Sequence, residues 1–241
     1  MKMKVMTYNI QSCLDYDTRK RDTQARLAAF IKEQNPDVVV LNEVHDIGAS
    51  KEFTAQAKDI ADLLGWNHRF AQAIDIPNVG PYGNAILSPY PIENFTVTPV
   101  PLQPLKEGDN PGWREARCIL RAEITKDGKT LAVYGSHFGL TPGEQEFVVS
   151  LAAGLLDNET LPHVFMGDFN MQPDNPTLVP LFERMQDTAA VFDAPKLSYV
   201  SDEPTDKIDY IFASRDVTVL NADIPAVVIS DHRPYIAEIE F

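Results

Sequence analysis

Apolar residues recur along this chain at two periods, near 2 and near 3.6, and the switches between them lay out its elements. Met3 to Tyr8 reads as a first strand that ends at Asn9. Arg19 to Gln34 carries Ala25, Leu27, Ala28, Phe30 and Ile31 on one stripe and reads as a helix, stopped by Asn35-Pro36. Asp37 to Asn42 is an apolar, β-branched run, a buried strand that delivers Glu43 at its end. Lys51 to Leu64 predicts a second helix, closed by Gly65. Short strands follow around Trp66 to Gln72, Asn84 to Ser88 and Phe95 to Val100, then a Pro- and Gly-rich loop over Pro99 to Gly112. Arg117 to Thr125 and Thr130 to His137 alternate as strands about the hairpin signal Asp127-Gly128. Gly143 to Asn158 predicts a third helix and Pro176 to Met185 a fourth. His163 to Met166, Lys207 to Ala213, Val217 to Ala222, Ile224 to Ile229 and Tyr235 to Phe241 read as further strands. No linker, low-complexity tract or short repeat interrupts the pattern. A single α/β domain over residues 1–241, strands dominating, is the simplest account.

Composition narrows the class of partner. Of 241 residues, 21 are Lys or Arg and 35 are Asp or Glu, a formal net charge of -14. An acidic surface repels a nucleic acid backbone, whose binding depends on Lys and Arg displacing counterions. Nucleic acid is therefore disfavoured as a partner, though a local basic cleft leaves it possible. Small phosphorylated substrates are less affected, because a bound cation handles their charge locally. Cys13 and Cys118 form no CxxC pair and read as free thiols in a reducing compartment. The N-terminus lacks the pattern of a signal peptide, and no apolar run approaches the ~20 residues that span a bilayer. A cytoplasmic protein without stable membrane insertion is expected.

Polar residues fall repeatedly at predicted strand ends: Asn9, Glu43, His137, Asp168, Asn170, Asp209, Asp231 and His232. Taken singly each admits an ordinary role. Asn9 suits a turn, Glu43 a solvated loop, His137 a half-buried strand end, Asp168 and Asn170 an Asx-turn, and Asp231-His232 a turn cap. Taken together they contain the parts of one reaction. Hard divalent cations such as magnesium prefer carboxylate, amide and water oxygens. Glu43 and Asp231 are the first-choice anchors, with Asn9 and possible further oxygens from Asp168 or Asn170. His232 beside Asp209 has the form of a general base whose tautomer a carboxylate fixes. His137 would donate to a phosphate oxygen, and Asn170 would help hold the attacking water or the phosphate. No Ser or Cys nucleophile motif is present, so direct water attack is preferred to a covalent intermediate.

The segments Thr7-Tyr8-Asn9-Ile10, Asn42-Glu43-Val44, Tyr82 to Ser88, Gly135-Ser136-His137-Phe138, Gly167-Asp168-Phe169-Asn170, Ile208-Asp209-Tyr210-Ile211 and Ser230 to Pro234 resemble a known ordered series. It is that of the endonuclease/exonuclease/phosphatase superfamily, which includes pancreatic-type deoxyribonucleases, AP endonucleases, sphingomyelinases and inositol polyphosphate phosphatases. The likeness runs from residue 5 to 234. It implies an α/β (α+β) four-layer sandwich, two packed mixed β-sheets flanked by helices, and a Mg2+- or Mn2+-dependent phosphoesterase. By that resemblance Asn9, Glu43 and Asp231 lie at the metal and His137 at the scissile phosphate. Asp168 and Asn170 orient or activate water, and Asp209 pairs with His232; whether Asp168 or His232 is the base stays open. Arg117, opening a strand, is a candidate phosphate contact as well as a candidate structural arginine. The chain departs from the series where Asn42 replaces the usual Gln and where Gly139-Leu140 replaces an acidic residue after His137. His45, His68 and His163 match nothing in it and are read as structural.

These features favour a metal-dependent phosphodiesterase or phosphatase acting on a small or lipid-like phosphoester. The rivals are a nuclease acting on DNA or RNA, and a binding module that kept the fold without catalysis. Residues 48–52, 75–81 and 102–113 are expected to border the cleft, with Trp113 either stacking on substrate or covering core. Oligomeric state is not legible.

Overall fold

Lys2–Asn9 (β1) and Val38–His45 (β2) bury nearly every side chain, which a strand achieves only with a layer on both faces. A computed structural model, describing residues 1–106 and 114–241, supplies those layers. The remaining strands are Asn67–Ile76 (β3), Gly80–Ser88 (β4), Ile92–Val100 (β5), Arg117–Lys126 (β6), Lys129–His137 (β7), His163–Asp168 (β8), Met185–Asp187 (β9), Asp209–Ser214 (β10), Thr218–Asp223 (β11) and Tyr235–Glu240 (β12). Helices are Gln24–Gln34 (α1), Gln56–Leu64 (α2), Pro142–Leu156 (α3) and Val179–Arg184 (α4). One sheet has the order β11-β12-β1-β2-β4-β3 and the other β5-β6-β7-β8-β10-β9. Both are mixed: β1 runs parallel to β2 and β7 parallel to β8, while every other pair is antiparallel.

Alternation along the strands sorts the core into three slabs. Val5, Val38, Val40, Leu120, Val133, Met166 and Ile211 fill the space between the sheets. Tyr8, Val39 and Leu41, on the opposite face of the first sheet, meet Leu27, Ile31 and Ile60 of α1 and α2. Phe165, Tyr210 and Phe212 meet Val148, Ala152 and Leu181 of α3 and α4. The result is the expected four-layer sandwich. α3 begins cleanly because Thr141 accepts from the Glu144 amide while Glu144 reaches back, a reciprocal cap with Pro142 behind it.

Several boundaries differ from expectation. α1 starts at Gln24 rather than Arg19, because Leu14 and Arg21 bridge and Asp15 accepts from the Thr18 amide, holding the approach as a loop. α2 starts at Gln56 rather than Lys51. Residues 75–81 are not an open loop but the ends and turn of the β3–β4 hairpin. The fourth helix shrinks to a 3-10 turn, Pro176–Leu178, and α4; Met185 already opens β9. Ile224 to Ile229 forms no strand. Its Ile224 and Ile229 are buried, but Pro225 has no amide proton to give a ladder. Trp113 and the rest of 107–113 lie outside the described residues.

Candidate active site

Alternation delivers the site. On β7, β8 and β10 the residues facing the partner sheet include Val133, Met166 and Ile211; continuing by twos brings His137, Asp168 and Asp209 to that same face. The register then aligns the three in one row, His137 beside Asp168 and Asp168 beside Asp209. On the facing sheet Asn9 pairs with Asn42 in the same way. Each sheet therefore ends its apolar face in a polar row, and the two rows meet.

Glu43 breaks the alternation. Leu41 and Val44 both face the helices, and the pairing of β2 with β4 slips between them. Glu43 sits in this bulge at φ 57, which turns its carboxylate to Asn9, whose Nδ2 donates to Oε1 at 3.0 Å. Three further left-handed residues, Gln11, Ser12 and Cys13, follow Asn9. Non-glycine backbone of this kind costs about 1–3 kcal/mol per residue and concentrates where function requires it. Gly167 is obligatory: at φ 148, a Cβ there would lie 1.9 Å from the Ser136 carbonyl oxygen.

The two rows join at one oxygen. Asp168 Oδ2 accepts from Asn9 Nδ2 at 3.0 Å and lies 3.5 Å from both His137 Nε2 and His232 Nε2. Its other oxygen accepts from the Asn170 amide, and its own amide donates to Asn42 Oδ1, each at 3.0 Å. His232 Nδ1 is 2.8 Å from Asp209 Oδ2. Asp168, Asp209 and His232 form the tightest acid–imidazole group among the described residues, every ligand atom within 4.8 Å of the others. Asn170 Nδ2 donates to the Phe138 carbonyl and stands 3.1 Å from His137 Nε2. Arg117 Nη1 is 3.1 Å from His137 Nδ1 and Nη2 is 3.2 Å from Glu115. Asp231 stands one residue before His232, and Gln11 Nε2 donates to it at 2.6 Å.

Burial sets the charges. It raises the Asp168 carboxyl above the ordinary range; the His232 ring opposes this and Asp209 reinforces it. Burial alone would lower His232, but Asp209 and Asp168 outweigh it and hold the imidazole above its usual value. His137 is driven well below its ordinary value, first by burial and then by the Arg117 cation. Burial also raises Glu43; the Asn9 amide resists and the Asp231 charge adds to the push.

The chain matches the model of the Endonuclease/Exonuclease/phosphatase family over residues 6–232. It belongs to that family. No curated protein matches it in sequence. Among solved structures, a family member from Bacteroides vulgatus superposes with a TM-score of 0.78 at 20% identity, covering 100% of this chain and 99% of its own. A mannosyl-6-phosphatase from Bacteroides thetaiotaomicron gives 0.81 at 16%, covering 99% and 100%. The human Nocturnin catalytic domain with bound sulfate gives 0.73 at 16%, covering 100% and 93%. At these identities the likeness shows the family fold.

The donor set suits a hard divalent cation. Gln11 Oε1 is buried without a partner among the described residues, on the side chain that holds Asp231, and Glu43 is a half-buried carboxylate that feels Asp231's charge. Asn9 turns its NH2 to Glu43 and Asp168, while its oxygen accepts from the Gln11 amide at 3.0 Å. Four site residues were not singled out from sequence. Asn42 and Asn84, bonded to each other at 2.8 Å, lie in family-like segments, Asn42 as a departure from the usual Gln, but neither was given a role at the site. Gln11 carried no signal. Tyr199, whose ring centroid is 4.8 Å from that of His232, lies in a loop without a distinctive pattern.

Proposed function

We propose that this chain is a divalent-cation-dependent hydrolase of small phosphoesters that works by direct attack of water. The observation carrying this reading is the convergence on Asp168 Oδ2 of Asn9, His137 and His232, drawn from opposite sheets and the C-terminal approach. Glu43, Asp231 and Gln11 would hold Mg2+ or Mn2+, with Asn9 fixing the Glu43 carboxylate. When bound, the cation would polarise the phosphoryl oxygen and stabilise the leaving alkoxide. Asp209 fixes His232 with Nδ1–H toward itself, so Nε2 faces Asp168. The Asp168–His232 pair then takes up the proton that water gives up, and its two members act as one titrating unit. His137 and Asn170 supply donors to the non-bridging oxygens, replacing the solvation a buried phosphate loses. Two structural neighbours, a mannosyl-6-phosphatase and a domain with bound sulfate, support a site that accepts a tetrahedral oxyanion.

The -14 charge favours a small substrate over a nucleic acid. The deciding experiment is a panel of phosphomonoesters and phosphodiesters with Mg2+, Mn2+ or chelator, run beside plasmid nicking. Turnover of a small ester that requires the cation supports the reading. Plasmid nicking that dominates and falls with salt would transfer the site to a nuclease, and no turnover anywhere would leave a binding module.

A further inference from the structure

Arg117 is bonded to the site in a way that phosphate contact alone does not explain. Its side chain is 6% exposed, its Nη1 faces His137 Nδ1 at 3.1 Å, its Nη2 pairs with Glu115, and its buried Nε has no hydrogen-bond partner among the described residues. A guanidinium only donates hydrogen bonds. The Nδ1 it addresses must therefore be an acceptor, bare of hydrogen. The other ring nitrogen has a donor nearby as well, Asn170 Nδ2 at 3.1 Å. A neutral imidazole cannot accept at both nitrogens, because one of them carries the proton. Among the described residues only Nε2 has an acceptor in reach, Asp168 Oδ2 at 3.5 Å; Asn170 gives one hydrogen of its NH2 to the Phe138 carbonyl and has the second to offer a phosphate oxygen.

We propose that Arg117 is a positioning residue that fixes His137 as its Nε2–H tautomer, making this imidazole a hydrogen-bond donor to the substrate phosphate and not a base. The two histidines of the site thereby take opposite roles from opposite partners. Asp209, an acceptor, draws the proton of His232 onto Nδ1 and leaves Nε2 to exchange protons. Arg117, a donor, pushes the proton of His137 onto Nε2, beside the second amide hydrogen of Asn170. The assignment of the tautomer stands on geometry alone; the donor role rests on the phosphoesterase reading.

The test is long-range 1H–15N correlation of the imidazoles in the full chain. It has five histidines, and the spectrum of H137Q identifies the His137 signals. At neutral pH the wild type should show His137 in the Nε2–H form, and inorganic phosphate should perturb Nε2 more than Nδ1. Arg117→Met should let the ring populate both tautomers and lower kcat about tenfold on a panel substrate, with KM within about threefold, as losing an orienting partner does. Arg117→Lys, which still only donates, should restore the Nε2–H form and most of kcat. An Nδ1–H or doubly protonated ring in the wild type overturns the proposal whether or not either variant folds. So does a tautomer indifferent to Arg117→Met. So does a KM raised more than tenfold at unchanged kcat, which would make Arg117 a phosphate ligand. An Nε2–H ring in a protein that hydrolyses nothing on the panel would instead keep the tautomer and defeat the phosphoesterase reading.

Discussion

Asn42 shows how much of the proposed catalytic centre rests on a residue outside its acid and imidazole groups. Its oxygen takes the Asp168 amide from the opposite sheet, and its NH2 is held by Asn84, which in turn donates to the Cys118 carbonyl. Replacing it with Leu strands two buried polar groups, each worth about 1–3 kcal/mol. Asn42→Leu should therefore unfold at a lower urea midpoint, by about 2–4 kcal/mol, and lose turnover as Asp168 drifts. A midpoint unchanged within error would mean that water or a local shift satisfies both groups. The residues proposed to perform the chemistry should respond differently. Asp168→Asn and His232→Ala remove the proposed proton acceptor pair and should each lower kcat by about 10²–10⁴ with little change in melting temperature. The double variant should be no worse than the worse single one, since the pair acts as a unit. Turnover within a few fold of wild type in either variant would displace the site. Residue types explain why one group was legible and the other was not. A carboxylate or imidazole at one strand end has an ordinary use, but several of them at successive strand ends together spell one reaction. A buried asparagine or glutamine has many ordinary uses, so Gln11 carries no mark, and Asn42, noticed only as a substitution in a motif, shows its role only once the facing sheet is in place.

At the scale of elements, period-2 patterning located the strands, because burial on both faces leaves long apolar runs that helices of this size do not need. It failed where burial and pairing part company. Ile224 and Ile229 are as buried as strand residues, yet among the described residues no strand ladders with them; Ile229 only accepts from the Tyr16 amide at 3.0 Å. It also could not foresee the bulge at Glu43, since strict alternation places that residue on the helix side. Register was invisible for a related reason: it is decided by partners distant in sequence, from a few tens of residues between β7 and β8 to more than two hundred between β1 and β12. One such long-range tie is testable by pH. Glu159, in the loop after α3, accepts from Arg121 of β6 and Tyr134 of β7, each at 2.8 Å. Burial would raise its carboxyl, but Arg121, the Leu161 amide and Tyr134 together lower it to about 2. A depressed carboxyl stabilises the fold above its unfolded value, near 4.5, and loses that contribution as pH falls through about 2. Glu159→Gln should cost about 1–2 kcal/mol at neutral pH, and the gap from wild type should close as the medium is acidified below about 4. A gap that is independent of pH would assign the effect to packing.

For the whole molecule, folding gathers negative charge that an unfolded chain keeps apart. The chain carries -14 overall, and its fold brings Glu43 from one sheet, Asp168 and Asp209 from the other, and Asp231 from the C-terminal approach to a single mouth. Asn9, Gln11 and His232 offset part of this, but Glu43 remains raised by burial and by Asp231. A carboxyl whose folded value lies above its unfolded one subtracts stability once pH exceeds the unfolded value, and restores it as pH falls. In chelator at neutral pH, Glu43→Gln should therefore be more stable than wild type, by about 1 kcal/mol, because it keeps the shape and the Asn9 contact while discarding the charge. Added Mn2+ should reverse the order. Wild type should gain about 2.7 kcal/mol at a hundredfold excess over Kd, whereas the variant, short of one anionic ligand, should gain far less at the same concentration. Melts of both proteins with and without the cation read the crossing directly. If Mn2+ stabilises them equally, Glu43 holds no cation. If Glu43→Gln is the less stable protein in chelator, the carboxylate serves the fold, and the charge gathered at this mouth is already balanced by the protein's own donors.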